Sequence, residues 1–175
     1  MKDYFDLGDY SRKVSQNKNS QTWFDRGMVW LFAYNHEEAI ACFEKAIEAD
    51  QKCAFAYWGI AYAVGPNYNK HWEVFTANEK GPVLEKAHKF IENGLALPGL
   101  PVLEKKLLEA LRQRYPENHT VEDFQPYSDA FASAMRPVYQ EYSGDLDLIC
   151  IFVEALMNRT PWSCLLYTSP SPRDL

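Results

Sequence analysis

A regular spacing of large aromatic and small side chains between positions 20 and 51 constrains the fold of this chain more than any other feature. The spacing alternates between three and four residues in two runs, which consist of Trp23, Gly27, Trp30 and Tyr34, then Ala39, Phe43, Ala46 and Asp50. Each run predicts one face of an α-helix, and Ser20 is placed to cap the first helix. Asn35 and His36 break the pattern, and a connection this short makes the two helices pack antiparallel.

The pattern begins a second time further along the chain. Tyr57 stands where Trp23 does in the first run, so another helix is predicted there. Its partner helix is delayed, because helical spacing resumes only at Pro82. The second pair of helices is therefore interrupted by an insertion at about 65–81.

The remaining helical region, residues 100–163, follows the pattern more loosely. Leucines at helical spacing predict one helix, and the sequence from Thr120 to Asp123 resembles a capping box that opens the next. Pro137 is expected to kink or end that helix, because proline lacks a backbone N–H donor. Asp145 can cap a last helix, which is apolar on more than one side. We predict roughly six to eight helices and no strands, and therefore an all-α fold.

The residues at these intervals resemble the tetratricopeptide repeat, a unit of about 34 residues with aromatic, Gly, aromatic, Ala, Phe and Ala at fixed places. The resemblance implies antiparallel helix pairs stacked as a short α-solenoid. It divides the chain into an N-terminal extension (1–19), a first repeat (20–53), a second repeat with the insertion (54–99), and a degenerate third repeat with the start of a fourth (100–163). Residues 4–162 also resemble the N-terminal part of large tetratricopeptide proteins of unassigned activity, which implies a longer native chain.

The composition changes abruptly near the end of the chain, from helix-forming residues to Ser, Pro and Thr. The eleven residues from Cys164 to Asp174 match, in order, the translation of a transposase-type sequencing adapter. A native Ser/Pro linker would have a similar composition, but the consecutive match favours the adapter. We therefore interpret residues 164–175 as an artefactual tail and this chain as a truncated fragment.

Composition also disfavours several classes of function. Of the 175 residues, 47% are hydrophobic and 15% are aromatic, which is too much core material for a disordered chain. The net charge is -6 and no basic cluster offsets it, so nucleic acid is not an expected partner. A secretory signal and a bilayer-spanning apolar run are both missing from the sequence. We expect a cytoplasmic protein without membrane insertion.

A further apolar stripe runs along the first helix of each predicted repeat. Its residues are Phe24, Met28, Leu31, Phe55, Trp58 and Tyr62. Either the stripe is buried against neighbouring helices, or it lines the concave groove in which repeat proteins hold a peptide. Some tetratricopeptide proteins clamp a peptide carboxylate with Lys and Asn side chains, and this chain has Phe24, Met28 and Tyr62 at those places. That kind of clamp is therefore not expected.

The predicted insertion is the second candidate site. Its candidate pocket residues are Asn67, Tyr68, Asn69 and Trp72. Asn suits turns, aromatic side chains commonly line pockets, and long loops in compact domains are often functional. The alternative is that the Asn residues only form turns and Trp72 covers the core.

Catalytic and metal chemistry find little support in the sequence. The four histidines are scattered and the cysteines lack CxxC spacing, so we predict no metal site, no catalytic residue and no cofactor. We expect a non-catalytic scaffold module that binds a protein or peptide partner. In one alternative, the repeats position substrate for an enzyme whose catalytic part lies outside this chain. In another, the insertion binds a small molecule.

Overall fold

The computed structural model of the chain describes residues 6–117 and 120–160, and every regular element within them is helical. The α-helices are α1 (Lys18–Phe32), α2 (His36–Ala49), α3 (Ala54–Ala63), α4 (Ala77–Leu95), α5 (Val102–Arg112), α6 (Gln125–Glu141) and α7 (Leu146–Met157). One turn of 3-10 helix, Trp72–Val74, lies between α3 and α4. No strand occurs in the described ranges, so the all-α prediction is confirmed. The predicted tail lies outside the described residues.

The helix α1 begins earlier than predicted, and its cap differs. The side-chain oxygen of Asn17 caps α1 by accepting hydrogen bonds from the backbone N–H groups of Asn19 and Ser20. Ser20 is instead buried inside the helix, and its hydroxyl donates to the Ala46 carbonyl oxygen at 2.9 Å. The predicted cap is therefore wrong, because this hydroxyl connects α1 to α2.

The helix α4 also begins before its predicted start at Pro82. Thr76 and Glu79 form a capping box, in which the Thr76 backbone N–H donates to Glu79 Oε2 at 2.8 Å. A hydrogen bond from Lys70, followed by those from Thr76, lowers the pKa of Glu79 to about 2. Pro82 then lies inside α4. The insertion between α3 and α4 is therefore shorter than predicted and comprises residues 64–76.

The capping box predicted from Thr120 to Asp123 does not open α6. This helix begins at Gln125, and its N-cap residue, Phe124, makes no side-chain capping bond. The Asp123 carboxylate accepts instead from the Gln125 backbone N–H at 2.9 Å. Pro137 lies within α6, which continues to Glu141. The helix therefore does not end at Pro137, which was one of the two outcomes predicted for this residue.

Each helix packs against the next along the chain, and α3 also contacts both α1 and α5. The Phe43 ring of α2 lies between Gly27 of α1 and Gly59 of α3. A Cβ atom placed on Gly27 would lie 2.5 Å from Cε1 of Phe43, and one on Gly59 would lie 2.6 Å from Cε2. Both distances are shorter than van der Waals contact. The ring therefore fits only because neither helix carries a side chain at these positions.

The helix α3 is the centre of the described structure. All ten of its residues are buried, which explains why it shows no polar face in the sequence. The helix α7 is different, because it buries one side and exposes apolar residues on the other. Its exposed apolar side chains include Leu146 at 76% and Val153 at 47% of full exposure. The sequence-based view that α7 is apolar on more than one side is thus confirmed.

Candidate functional site

The stripe predicted along the first helices is buried. Phe24, Met28, Leu31, Phe55, Trp58 and Tyr62 are each at most 4% exposed. Trp58 stacks on Tyr62 with ring centroids 4.8 Å apart, and Phe24 lies 5.3 Å from Phe55. These six side chains belong to the core, and they line no open groove in the described residues. Peptide binding directly on this stripe would require movement of the segments that cover it.

One covering segment comes from the start of the chain. We call residues 6–17 the N-terminal segment. It contains no helix, and it runs from the beginning of α7 along α1 to the end of α2. Three contacts mark this path: Tyr10 with Asp147, Arg12 with Asp25, and Asn17 with the Ala49 carbonyl oxygen. The segment therefore connects helices that are distant in sequence.

Two side chains of α1 bind the backbone of the N-terminal segment. The Gln21 Oε1 atom accepts from the backbone N–H groups of Val14 and Ser15 at 3.0 and 3.2 Å. Its Nε2 atom donates to the Arg12 carbonyl oxygen at 2.7 Å. The Asp25 Oδ1 atom accepts from the Arg12 backbone N–H at 3.0 Å. Gln21 and Asp25 lie one helical turn apart, so a single face of α1 pairs with an extended main chain.

The Arg12 side chain points to the first turn of α7. Its guanidinium forms two bonds to the Asp145 carboxylate, Nη2–Oδ2 at 2.7 Å and Nη1–Oδ1 at 2.8 Å. Its Nη1 atom also lies 2.9 Å from Asp147 Oδ2. The guanidinium carbon lies 4.9 Å from the centroid of the Phe55 ring. The planar Arg12 guanidinium thus contacts two carboxylates and an aromatic face, an arrangement that suits arginine better than lysine.

Burial and hydrogen bonding act on the titratable groups of this contact. Burial favours the neutral form of Asp145, but the hydrogen bonds from Arg12 outweigh it, so the pKa of Asp145 is lowered. Burial also disfavours the charged Arg12, yet its bonds to Asp145 and Asp147 raise the pKa of Arg12. Burial, supported by the bond to Asp147, raises the pKa of the Tyr10 hydroxyl. At neutral pH the contact is therefore an ion pair with a neutral phenol.

The predicted insertion borders a second feature, which we call the insertion cleft. It has a volume of about 830 Å³ and lies between the α1–α2 turn, the end of α3, residues 64–76 and the first turns of α4. Its apolar lining includes Ile40, Phe75 and Val83, and its polar lining includes Asn67 and Asn69. Two of the four predicted pocket residues therefore line this cleft.

The other two predicted pocket residues do not line the insertion cleft. Trp72 is buried, and its ring stacks on that of Phe124 with centroids 4.3 Å apart. The Tyr68 backbone N–H donates to Glu154 Oε1 at 3.3 Å, which joins the insertion to α7. Trp72 thus covers the core, as the alternative interpretation of the insertion expected.

Polar side chains between the insertion and α7 form a cluster behind the cleft. The Tyr62 hydroxyl donates to Glu154 Oε2 at 2.6 Å. The Arg114 guanidinium lies 4.9 Å from the Tyr62 ring centroid, and it donates to the Pro66 carbonyl oxygen. Arg114 is only 1% exposed. Sequence reasoning did not identify Glu154 or Arg114, because their partners lie far away along the chain.

His36 links this cluster to the insertion cleft. The Asn67 Nδ2 atom donates to His36 Nδ1 at 3.0 Å, which requires that Nδ1 carries no proton. Burial lowers the pKa of His36 below its ordinary value of 6.5; nearby Glu154 opposes this shift and Arg114 adds to it. The folded chain therefore favours the neutral imidazole.

We predict that His36 makes the chain less stable in mild acid. Because its pKa is lower in the folded state, its contribution to stability is complete above pH 6.5 and is lost as the pH falls through the folded pKa. The free energy of unfolding should decrease between pH 7.5 and 5.5 in denaturant titrations. His36→Gln should show a smaller decrease than the unmodified chain measured at the same pH values. An identical pH dependence for His36→Gln would contradict this prediction.

The described residues contain no group of three or more His, Cys, Asp or Glu side chains placed to hold a metal ion. Among the described helices, none combines the length and the apolar character that crossing a bilayer requires. Neither observation identifies a partner.

Comparison with protein-family models, with curated proteins and with solved structures found no match to this chain. The tetratricopeptide resemblance therefore rests on the chain's own residues. What the structure defines is an all-α protein in which an extended segment lies along one helix face.

Proposed function

We propose that this chain is a non-catalytic module of tetratricopeptide type, which binds an extended segment of a partner protein. Its helices would stack as a short α-solenoid. The contacts of α3 with α1 and α5, and the Phe43 ring between Gly27 and Gly59, support this arrangement. Free Cys42 and Cys53, both buried, suit the reducing cytoplasm where we place the protein.

The observation that carries the proposal is the way in which α1 holds the N-terminal segment. Among the described residues, the hydrogen bonds of Gln21 and Asp25 to the N-terminal segment involve backbone groups of Arg12, Val14 and Ser15, apart from one bond that Asp25 accepts from the Ser11 hydroxyl. Contacts to backbone groups do not depend on the sequence of the bound segment. The same face can therefore pair with the main chain of another extended peptide.

A selection from a random dodecapeptide library displayed on phage tests the proposal. We expect enriched peptides to bind the purified chain with a 1:1 stoichiometry, measured by fluorescence anisotropy on resynthesised peptides. Hydrogen–deuterium exchange should then change in α1, in the first turn of α7 and at the backbone amides of Val14 and Ser15. Scrambled versions of the enriched peptides serve as the control.

Two outcomes would contradict the proposal. One is that no peptide is enriched over selection on the empty support. The other is that the exchange changes lie away from α1, α7 and the N-terminal segment. An exchange change confined to the insertion cleft would assign binding to that cleft instead.

A further inference from the structure

The N-terminal segment occupies a surface on which aspartate carboxylates accept its hydrogen bonds. We propose that this surface binds a partner segment carrying an arginine, and that the chain's own residues 10–15 compete for it as an intramolecular ligand. This inference rests on the proposed peptide-binding function. It adds the chemistry of the partner and a means of regulation.

The arginine position is the most specific part of this surface. Asp145 and Asp147 at the start of α7 hold the Arg12 guanidinium through three bonds of 2.7 to 2.9 Å. The Phe55 ring faces the same group at 4.9 Å. A lysine ammonium is a point charge and cannot form the two parallel bonds to Asp145. A partner segment should therefore require arginine at this place.

Two further carboxylates lie along the path of the segment. The Asp25 carboxylate accepts from the Ser11 hydroxyl at 2.9 Å, and the Asp50 carboxylate accepts from the Ser15 hydroxyl. Together with Asp145 and Asp147, four carboxylates thus accept hydrogen bonds from a twelve-residue stretch, residues 6–17. This charge favours a basic partner and disfavours an acidic one.

The N-terminal segment is held in a way that permits a partner segment to displace it. None of the side chains of residues 6–17 is buried; Tyr10 and Val14 are half-buried and pack against the core. Its attachment thus depends mainly on hydrogen bonds and on the Arg12 ion pairs, in contrast to the buried helix α3. Segments with few buried apolar contacts open at low free-energy cost. Covalent attachment gives this segment a high effective concentration, which a partner must overcome.

A fluorescein-labelled, acetylated and amidated peptide of residues 6–17 is the probe for this inference. We expect it to bind the Arg12→Ala chain about tenfold more tightly than the unmodified chain, because the internal competitor has lost its charged hydrogen bonds. Lys13→Ala is the matched control: it removes the same charge from the neighbouring, exposed residue, and should leave the affinity unchanged. A probe with Ala or Lys in place of Arg12 should bind the Arg12→Ala chain about tenfold more weakly. Anisotropy titrations measure all of these affinities.

Several outcomes would overturn the inference. The first is equal affinity of the probe for the Arg12→Ala and unmodified chains, while library peptides bind both; this outcome leaves the proposed function standing. Failure of the probe and of all library peptides on both chains would instead reject the proposed function. A concentration-dependent dimer of the unmodified chain in sedimentation velocity, dissociated by the probe, would show that a second copy supplies the segment.

A second variant keeps the test decisive if circular dichroism shows that Arg12→Ala is unfolded. Tyr10→Phe removes only the 2.8 Å hydrogen bond from the Tyr10 hydroxyl to Asp147. We expect this variant to bind the probe more tightly than the unmodified chain, by a smaller factor than Arg12→Ala would. An affinity equal to that of the unmodified chain would overturn the inference.

Discussion

Replacement of Phe43 by alanine is expected to lower the free energy of unfolding by about 3–5 kcal/mol. The Phe43 ring is 0% exposed, and it lies between the backbones of α1 and α3 at Gly27 and Gly59. Its removal leaves a cavity that neither glycine can fill, because neither has a side chain. Urea unfolding followed by circular dichroism measures the loss. Phe32→Ala is the control, since the Phe32 side chain is 37% exposed.

A methyl group added to α3 at Gly59, which faces the Phe43 ring, should also lower the free energy of unfolding. In Gly59→Ala the new Cβ would lie 2.6 Å from Cε2 of Phe43, so we expect a loss of about 1–3 kcal/mol through overpacking. Combining Gly59→Ala with Phe43→Leu should cost less than the sum of the two single changes. If Phe43→Ala is no less stable than Phe32→Ala, Phe43 does not join these helices.

The second large effect is expected for Trp58→Ala, with a loss of about 3–5 kcal/mol. Trp58 is 0% exposed at the centre of the chain, where its ring contacts those of Phe55 and Tyr62. A groove residue exposed to solvent would tolerate this change, whereas a core residue would not. Thermal unfolding of the variant therefore distinguishes the two interpretations of the apolar stripe.

Trp58→Phe is the matched variant for this test. The Trp58 Nε1 atom is buried and has no hydrogen-bond partner among the described residues. Phenylalanine keeps most of the apolar contact and removes this unsatisfied donor, so Trp58→Phe should be clearly more stable than Trp58→Ala. Equal and small losses of stability for both variants would show that the site is accessible to solvent. The apolar stripe would then be interpreted as a groove.

The helices themselves could be predicted from the sequence. Intervals of three and four residues reflect contacts within one helix, and such contacts need no information about the rest of the chain. The starts of the helices were less predictable, because several residues could serve as caps. Asn17 and Ser20 can both cap α1, and only the hydroxyl contact of Ser20 with Ala46 shows which one is inside the helix.

The insertion could be predicted only in part, because some of its residues depend on local preferences and others on distant partners. Asn67 and Asn69 favour turns whatever the surrounding tertiary structure, and both line the insertion cleft. Trp72 points inward because Phe124, which is distant in sequence, offers a face for stacking. No local pattern contains this partner. Neither of the two predicted aromatic residues, Tyr68 and Trp72, therefore lines the insertion cleft.

The sequence alone was enough to establish an all-α chain, since helical spacing depends on neighbours a few residues apart. It could not assign the apolar stripe to core or to surface, because burial depends on which distant segments lie over it. Arg12 reaches Asp145 and Asp147 across more than a hundred residues of chain, and Tyr62 reaches Glu154 across 92 residues. A single charge or hydroxyl carries no periodic signal in the sequence. The tertiary structure was therefore needed to bring the N-terminal segment, α1 and α7 together as one surface.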